Sequence, residues 1–245
     1  MKLGFIELNV NDSLDVNIKK IKDQLCSDKC DILVIPSKTF CTHINVKQMS
    51  LKESLHLIKS SDNTIKEISK EFNCAIIYGS ISFDGLCFYK SIKVYDSGNY
   101  IDEYHALYIF DDERNRYIKG IEVKILHIRG LKIGLQMGLD IYFPNISNRY
   151  ATSNVNLNIM FDACSKDKTL AIAKVRCIET LTPTLIINNR DDNSNDFSCL
   201  LDKYGECVIS TNKNDIFKCL DFNLDNKKTL KNCKDFYREW LSFLS

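Results

Sequence analysis

Several features that mark common classes of protein are missing from this 245-residue chain. No apolar run is long enough to span a bilayer, and the first residues lack the apolar core and cleavage site of a secretory signal. An excess of one charge is missing too, because 33 basic residues stand against 32 acidic ones. A nucleic-acid-binding domain would show a basic excess. We therefore expect a cytoplasmic protein that binds neither nucleic acid nor membranes.

Cysteine is abundant, with 11 residues, but the pattern of a metal site is absent. Cys26 and Cys30 are four positions apart, and no second cysteine pair or histidine pair completes a zinc site. The odd number of cysteines and the missing secretory signal favour free thiols in a reducing compartment. We predict no metal and no cofactor.

Apolar runs alternate with amphipathic helical segments, and the length fits one domain covering residues 1–245. Turn residues at 96–99 and at 129–130 predict two β-hairpins in the middle of the chain. Helices are predicted at 16–25, 50–72, 168–181 and 229–244, the second with an interruption near 60–63. This order predicts an α/β protein with mixed sheets. The apolar face of the last helix would pack on its own sheet or bind a partner.

The segment 130–144 reads GLKIGLQMGLDIYFP, a strand that ends at a glycine and is followed by Asp140, Phe143 and Pro144. It resembles the nucleophile region of the nitrilase, or carbon-nitrogen hydrolase, superfamily. In that family the strand runs into Cys-Tyr-Asp and then Phe-Pro-Glu. Gly138 stands at the position of the cysteine.

Two other segments resemble the regions that carry the family's general base and catalytic lysine. Residues 31–40 resemble the strand that ends in Pro-Glu, and Ser37 stands at the position of the glutamate. Residues 104–110 resemble the family's Y-R-K-x-H-L-F, and Ala106 stands at the position of the lysine. Weaker matches at Arg176, Glu179 and 189–190 follow in the family's order, so the resemblance covers nearly the whole chain.

The resemblance implies a four-layer αββα sandwich, in which two mixed β-sheets pack face to face between outer helices. It also implies that the catalytic triad is degenerate at Ser37, Ala106 and Gly138. The family's thiolate attacks an amide or nitrile carbon, the glutamate moves the proton and the lysine stabilises the developing charge. Loss of a nucleophile in a comparable catalytic unit costs on the order of a millionfold in turnover.

We therefore predict a pseudoenzyme, which is not an enzyme and acts by binding. It would be a scaffold or regulator of a partner, or would hold a small ligand. We expect a homo- or hetero-oligomer, including one with an active nitrilase-like homologue.

Four residues are predicted around the remaining pocket: Glu113, His105, Cys41 and Cys164. Glu113 resembles a family glutamate that lies beside the catalytic lysine, and His105 is a candidate partner for it. Cys41 with His43, or Cys164, offers the alternative of an amidase with a relocated nucleophile. A cysteine that is chemically inert is the simpler interpretation of either position.

Overall fold

The computed structural model describes residues 1–40, 49–161, 166–190, 198–212 and 216–222. The predicted helix at 229–244 lies outside these residues. The strands are β1 Lys2–Ile6, β2 Ile32–Ile35, β3 Ala75–Phe83, β4 Phe88–Asp96, β5 Asn99–His105, β6 Ile125–Ile128, β7 Leu131–Met137, β8 Leu157–Phe161, β9 Thr184–Ile187, β10 Cys199–Leu201, β11 Cys207–Ser210 and β12 Phe217–Asp221. The helices are α1 Leu14–Ser27, α2 Leu51–Phe72, α3 Pro144–Thr152 and α4 Lys166–Thr180.

Helix α2 is continuous, so the predicted interruption near 60–63 is wrong. Its start is fixed by a capping box, in which the Ser50 hydroxyl accepts from the backbone N–H of Glu53 and the Glu53 carboxylate accepts from the N–H of Ser50. The hydroxyls of Ser61 and Thr64 donate to carbonyls one turn back, at 2.8 and 3.0 Å. These bonds let the polar residues remain inside the helix.

The strands form two six-stranded mixed sheets. Sheet 1 has the order β12-β1-β2-β3-β4-β5, and sheet 2 has the order β11-β10-β9-β8-β7-β6. In the centres of the sheets, β1, β2 and β3 are parallel, as are β7, β8 and β9. Both predicted hairpins are present, as β4–β5 and β6–β7.

The main core lies between the sheets, and alternate residues of each strand fill it. Phe5, Val34 and Ile92 of sheet 1 face Ile133 and Ile159 of sheet 2, and all five are fully buried. Burial of such side chains contributes about 1.5–3 kcal/mol each. Tyr104 and Ala106, at the end of β5 and just after it, face the same interior.

Helices cover the outer face of each sheet. Ile21 of α1 and Ile65 of α2 pack on sheet 1, whereas Ile146 of α3 and Ala173 of α4 lie in apolar clusters outside sheet 2. The predicted αββα sandwich is therefore confirmed. Among the described helices, none is long and apolar enough to cross a membrane.

Candidate active site

The carboxyl ends of the parallel strands in both sheets meet at one edge of the sandwich. The turn Ser37–Thr39 follows β2, and Gly138 follows β7. The backbone N–H of Lys38 donates to the side-chain oxygen of Asn189, which follows β9 of the other sheet, at 2.7 Å. Ligand sites in α/β folds commonly lie at such carboxyl ends.

Ser37 is buried and lies directly over β3. A Cβ on Gly79 would come 2.3 Å from the Cβ of Ser37 and 2.4 Å from its Cα. Only glycine therefore lets the Ser37–Thr39 turn approach β3 this closely. The Thr39 hydroxyl donates to the Pro36 carbonyl at 2.9 Å and closes the turn.

Asp140 holds the two other degenerate positions side by side. Its carboxylate accepts the backbone N–H groups of Leu107 and Tyr108, just beyond Ala106, at 3.0 and 2.8 Å. It also accepts the N–H of Met137 at 3.1 Å and the hydroxyl of Tyr104 at 2.7 Å. Burial raises the pKa of Asp140 to about 6, against the opposing effect of these hydrogen bonds.

A buried ion pair lies beside Gly138. The Nζ of Lys90, on β4, is 3.2 Å from both carboxylate oxygens of Glu113, which lies in the turn Asp111–Glu113. The side chains are 6% and 12% exposed, so both charges are largely removed from water. A Cβ placed on Gly138 would lie 3.6 Å from the Nζ of Lys90 and 3.9 Å from Cε2 of Phe110.

Lys90 is a buried cation that the degenerate positions Ser37, Ala106 and Gly138 did not predict. Lys90 has the same strand parity as Ile92 and Val94, which face the interior between the sheets. That alternation was available in the sequence, because period-two burial predicts which strand residues share a face. The family motifs do not indicate Lys90, because it lies outside every segment that resembles the family.

The contacts of His105 in the structure are with Glu103 and Tyr89, and its pairing with Glu113 stays a prediction. Its Nε2 lies 2.9 Å from Glu103, and its ring stacks on Tyr89 with centroids 4.3 Å apart. His105 and Tyr104 are consecutive in β5, so their side chains point to opposite faces of sheet 1. Tyr104 faces the interior, and His105 therefore faces outward.

Cys41, Cys164 and His43 lie outside the described residues, so the relocated nucleophile stays a prediction. The eight described cysteines are unpaired thiols. Burial raises the pKa of Cys177 to about 11 and that of Cys199 to about 12. Such thiols are poor nucleophiles near neutral pH.

No protein-family model matches the chain. A curated protein of Schizosaccharomyces pombe, named as a probable nitrilase, is 23% identical over 135 residues, which are 52% of this chain and 50% of that protein. The matched region thus spans half the length of this relative.

Solved structures resemble the chain over nearly its full length. An alanine variant of an amidase from Nesterenkonia AN1, of the nitrilase superfamily, is 14% identical with a TM-score of 0.79, and covers 98% of this chain and 97% of its own. A carbon-nitrogen hydrolase from Helicobacter pylori is 15% identical with a TM-score of 0.80, and covers 97% and 94%. The resemblance to the nitrilase superfamily is confirmed, and the chain has the fold of that superfamily.

The prediction that the protein is not an enzyme is wrong. A further structure of the Nesterenkonia amidase, with a TM-score of 0.79, shows covalent addition of the acetamide moiety of fluoroacetamide at the active-site cysteine of that protein. Together with the nitrilase name of the curated relative, these similarities point to an enzyme.

Proposed function

We propose that this protein is a carbon-nitrogen hydrolase that acts on a small amide-type compound. It does so without a nucleophilic cysteine at position 138, which is a glycine. The observation that carries the proposal is the buried Lys90–Glu113 ion pair beside Gly138. It supplies a carboxylate and an ammonium at the place where the family resemblance puts its chemistry.

The burial of this pair supports a functional role. Removing two charges from water costs several kcal/mol per ion, and apolar residues of similar volume are often as stable or more so. Ionisable groups that are buried in pairs inside a pocket are therefore candidates for catalysis.

A hydrolysis step can be written with these groups and one water molecule. Glu113 accepts a proton from water that lies next to Gly138, where no side chain occupies the space. The water oxygen attacks the carbonyl carbon of the amide, so a C–O bond forms while the π pair of the C=O bond moves onto its oxygen, from which it re-forms C=O in the next step. The C–N bond then breaks, and the nitrogen leaves with the proton from Glu113, giving a carboxylic acid and ammonia.

Release of ammonia from small aliphatic amides and carbamoyl compounds tests the proposal. We expect turnover by the purified protein, and a loss of at least a hundredfold in kcat/KM in the variants Lys90→Met and Glu113→Gln. Glu113→Gln keeps the side-chain shape and removes the base. Wild-type protein that releases no ammonia from any such compound would contradict the proposal.

Strand β4 also provides a matched control. Lys93 is as buried as Lys90, but it lies on the opposite face of the strand and pairs with Asp62 of α2 at 2.8 Å. The variant Lys93→Met is expected to lose stability and to keep kcat/KM within about threefold. An equal loss of turnover in both lysine variants would mean that Lys90 acts only through stability.

Other roles follow from the sequence and are proposals of the same kind. The cysteine-dependent alternative predicts turnover that disappears on Cys41→Ala or Cys164→Ala and survives Glu113→Gln. A small ligand held in the pocket, and assembly as a homo- or hetero-oligomer with an active nitrilase-like homologue, can be tested by ligand titration and by the mass in solution. The unpaired thiols support a reducing, cytoplasmic location.

A further inference from the structure

We infer that Lys90 is a catalytic residue that supplies, from β4, the ammonium that the family resemblance places at position 106, just after β5. The inference rests on the proposed function and adds the origin and role of its cation. The positive charge of the pocket is then retained, but a residue of β4 provides it instead of the residue at position 106.

Lys90 and Ala106 are cross-strand neighbours on one face of sheet 1. The register of β4 and β5 pairs Ile92 with Tyr104 and Ser91 with His105, and continuing it by one residue places Lys90 opposite Ala106, just after β5. The backbone N–H of Ala106 donates to the carbonyl of Lys90 at 2.9 Å. Directly opposite residues have Cβ atoms about 4.5–5.5 Å apart, and a lysine side chain is longer than that separation.

The two positions are also complementary in size and charge. Ala106 is 1% exposed and Lys90 is 5% exposed, so both are buried, and the alanine takes up less of the interior than a second lysine would. A lysine at both positions would place two ammonium groups against the single carboxylate of Glu113, and like charges in a buried site are unfavourable. The alanine at 106 therefore accords with the lysine at 90.

The ammonium of Lys90 still has hydrogen-bonding capacity. It has three N–H donors, and the two oxygens of Glu113 lie at 3.2 Å. The Nζ lies 3.6 Å from where a side chain on Gly138 would begin. A carbonyl group held beside Gly138 thus lies within reach of a charged donor, which stabilises the negative charge that develops on its oxygen.

A lysine swap tests this inference. The variants are Lys90→Ala, the swap Lys90→Ala with Ala106→Lys, and the neutral reference Lys90→Ala with Glu113→Gln, which leaves no unpaired buried charge. We expect Lys90→Ala to lose at least a hundredfold in kcat/KM, mostly in kcat, and the swap to regain at least tenfold. Acetamide and acrylamide are the ligands for turnover and titration.

A second readout separates failure of this inference from failure of the proposed function. The urea midpoint of unfolding is measured for each variant with Glu113 and with Glu113→Gln. We expect the swap, but not Lys90→Ala, to be destabilised by Glu113→Gln, because only the swap retains an ion pair. Absence of ammonia release by the wild type refutes the proposed function. In that case, the effect of Glu113→Gln on the stability of the swap decides whether a lysine at position 106 can replace Lys90 as the partner of Glu113. A swap that shows neither the coupling nor any regained turnover overturns the inference.

Discussion

At Gly138 the backbone has a φ of 59°, in the left-handed region that glycine adopts at no steric cost. A residue with a Cβ in this conformation costs roughly 1–2 kcal/mol. A Cβ would nevertheless meet no clash, since the nearest atoms would lie at 3.6 and 3.9 Å, which are ordinary contact distances. Position 138 can therefore accept a small side chain at a modest loss of stability.

The variant Gly138→Cys is predicted to carry a reactive thiol. Its sulfur would lie near the ammonium of Lys90, which favours the thiolate and lowers the pKa of the thiol. We expect alkylation by iodoacetamide at pH 7 to be about tenfold faster than that of an ordinary cysteine. Rates are followed by mass spectrometry of the labelled peptide.

The control for this reaction is Gly138→Cys with Lys90→Met and Glu113→Gln, which removes both charges of the ion pair. Its thiol should react at an ordinary rate or more slowly. Equal rates in the two backgrounds would show that Lys90 does not act on position 138.

At this scale, the resemblance predicted Glu113 near the degenerate positions Ser37, Ala106 and Gly138. In the structure, Asp140 links the chain just after Ala106 to Met137, which precedes Gly138. The resemblance could not supply the lysine that pairs with Glu113, because an ion pair between β4 and a turn 23 residues later depends on tertiary packing. A motif compares residues at matching positions along the chain. A buried charge can be paired by any residue that is close in the folded protein, whatever its position in the sequence.

Strand β3 and the turn after β2 depend on each other at Gly79. Replacing Gly79 by alanine would bring its Cβ to 2.4 Å from the Cα of Ser37, which is backbone and cannot rotate away. We expect Gly79→Ala to lower the free energy of unfolding by about 1–3 kcal/mol or more, and to displace the Ser37–Thr39 turn. Urea unfolding measures the first effect, and affinity for acetamide measures the second.

Ser80→Ala is the control on the neighbouring residue. The Ser80 hydroxyl donates at 3.5 Å to the carbonyl of Ile81 and also has a side-chain hydrogen bond with Tyr78. The change should cost less than about 1 kcal/mol. If Gly79→Ala is no more destabilising than Ser80→Ala, the turn tolerates displacement and does not depend on the close approach.

The elements themselves were largely predictable, because alternating apolar residues and turn residues are local signals. Both hairpins appear where the turns at 96–99 and 129–130 indicated. The errors came from side-chain and tertiary effects. The polar residues at 60–63 remain helical because Ser61 and Thr64 bond within α2.

Across the whole molecule, buried and exposed carboxyl groups affect stability in opposite directions as the pH changes. Burial raises the pKa of Glu7 and of Asp140. In contrast, hydrogen bonds from the N–H groups of Cys87 and Leu86 lower the pKa of exposed Asp84. The first kind stabilises the fold when protonated and the second when ionised.

Asp140 makes the largest testable contribution, because its pKa rises from 3.8 to about 6. The folded protein therefore binds the proton more tightly than the unfolded chain does. The stabilisation is fully present below pH 3.8 and is lost as the pH rises through about 6. A shift of this size corresponds to about 3 kcal/mol.

We predict that the stability advantage of the wild type over Asp140→Asn shrinks between pH 4 and about 6.5, as measured by urea unfolding at each pH. Asp84→Asn provides the control of opposite sign, because the wild type should gain on that variant as the pH rises. An advantage over Asp140→Asn that grows with pH would mean that the four hydrogen bonds outweigh burial. Asp140 would then hold the ends of β5 and β7 together as a carboxylate, and pocket geometry would be least secure in acid.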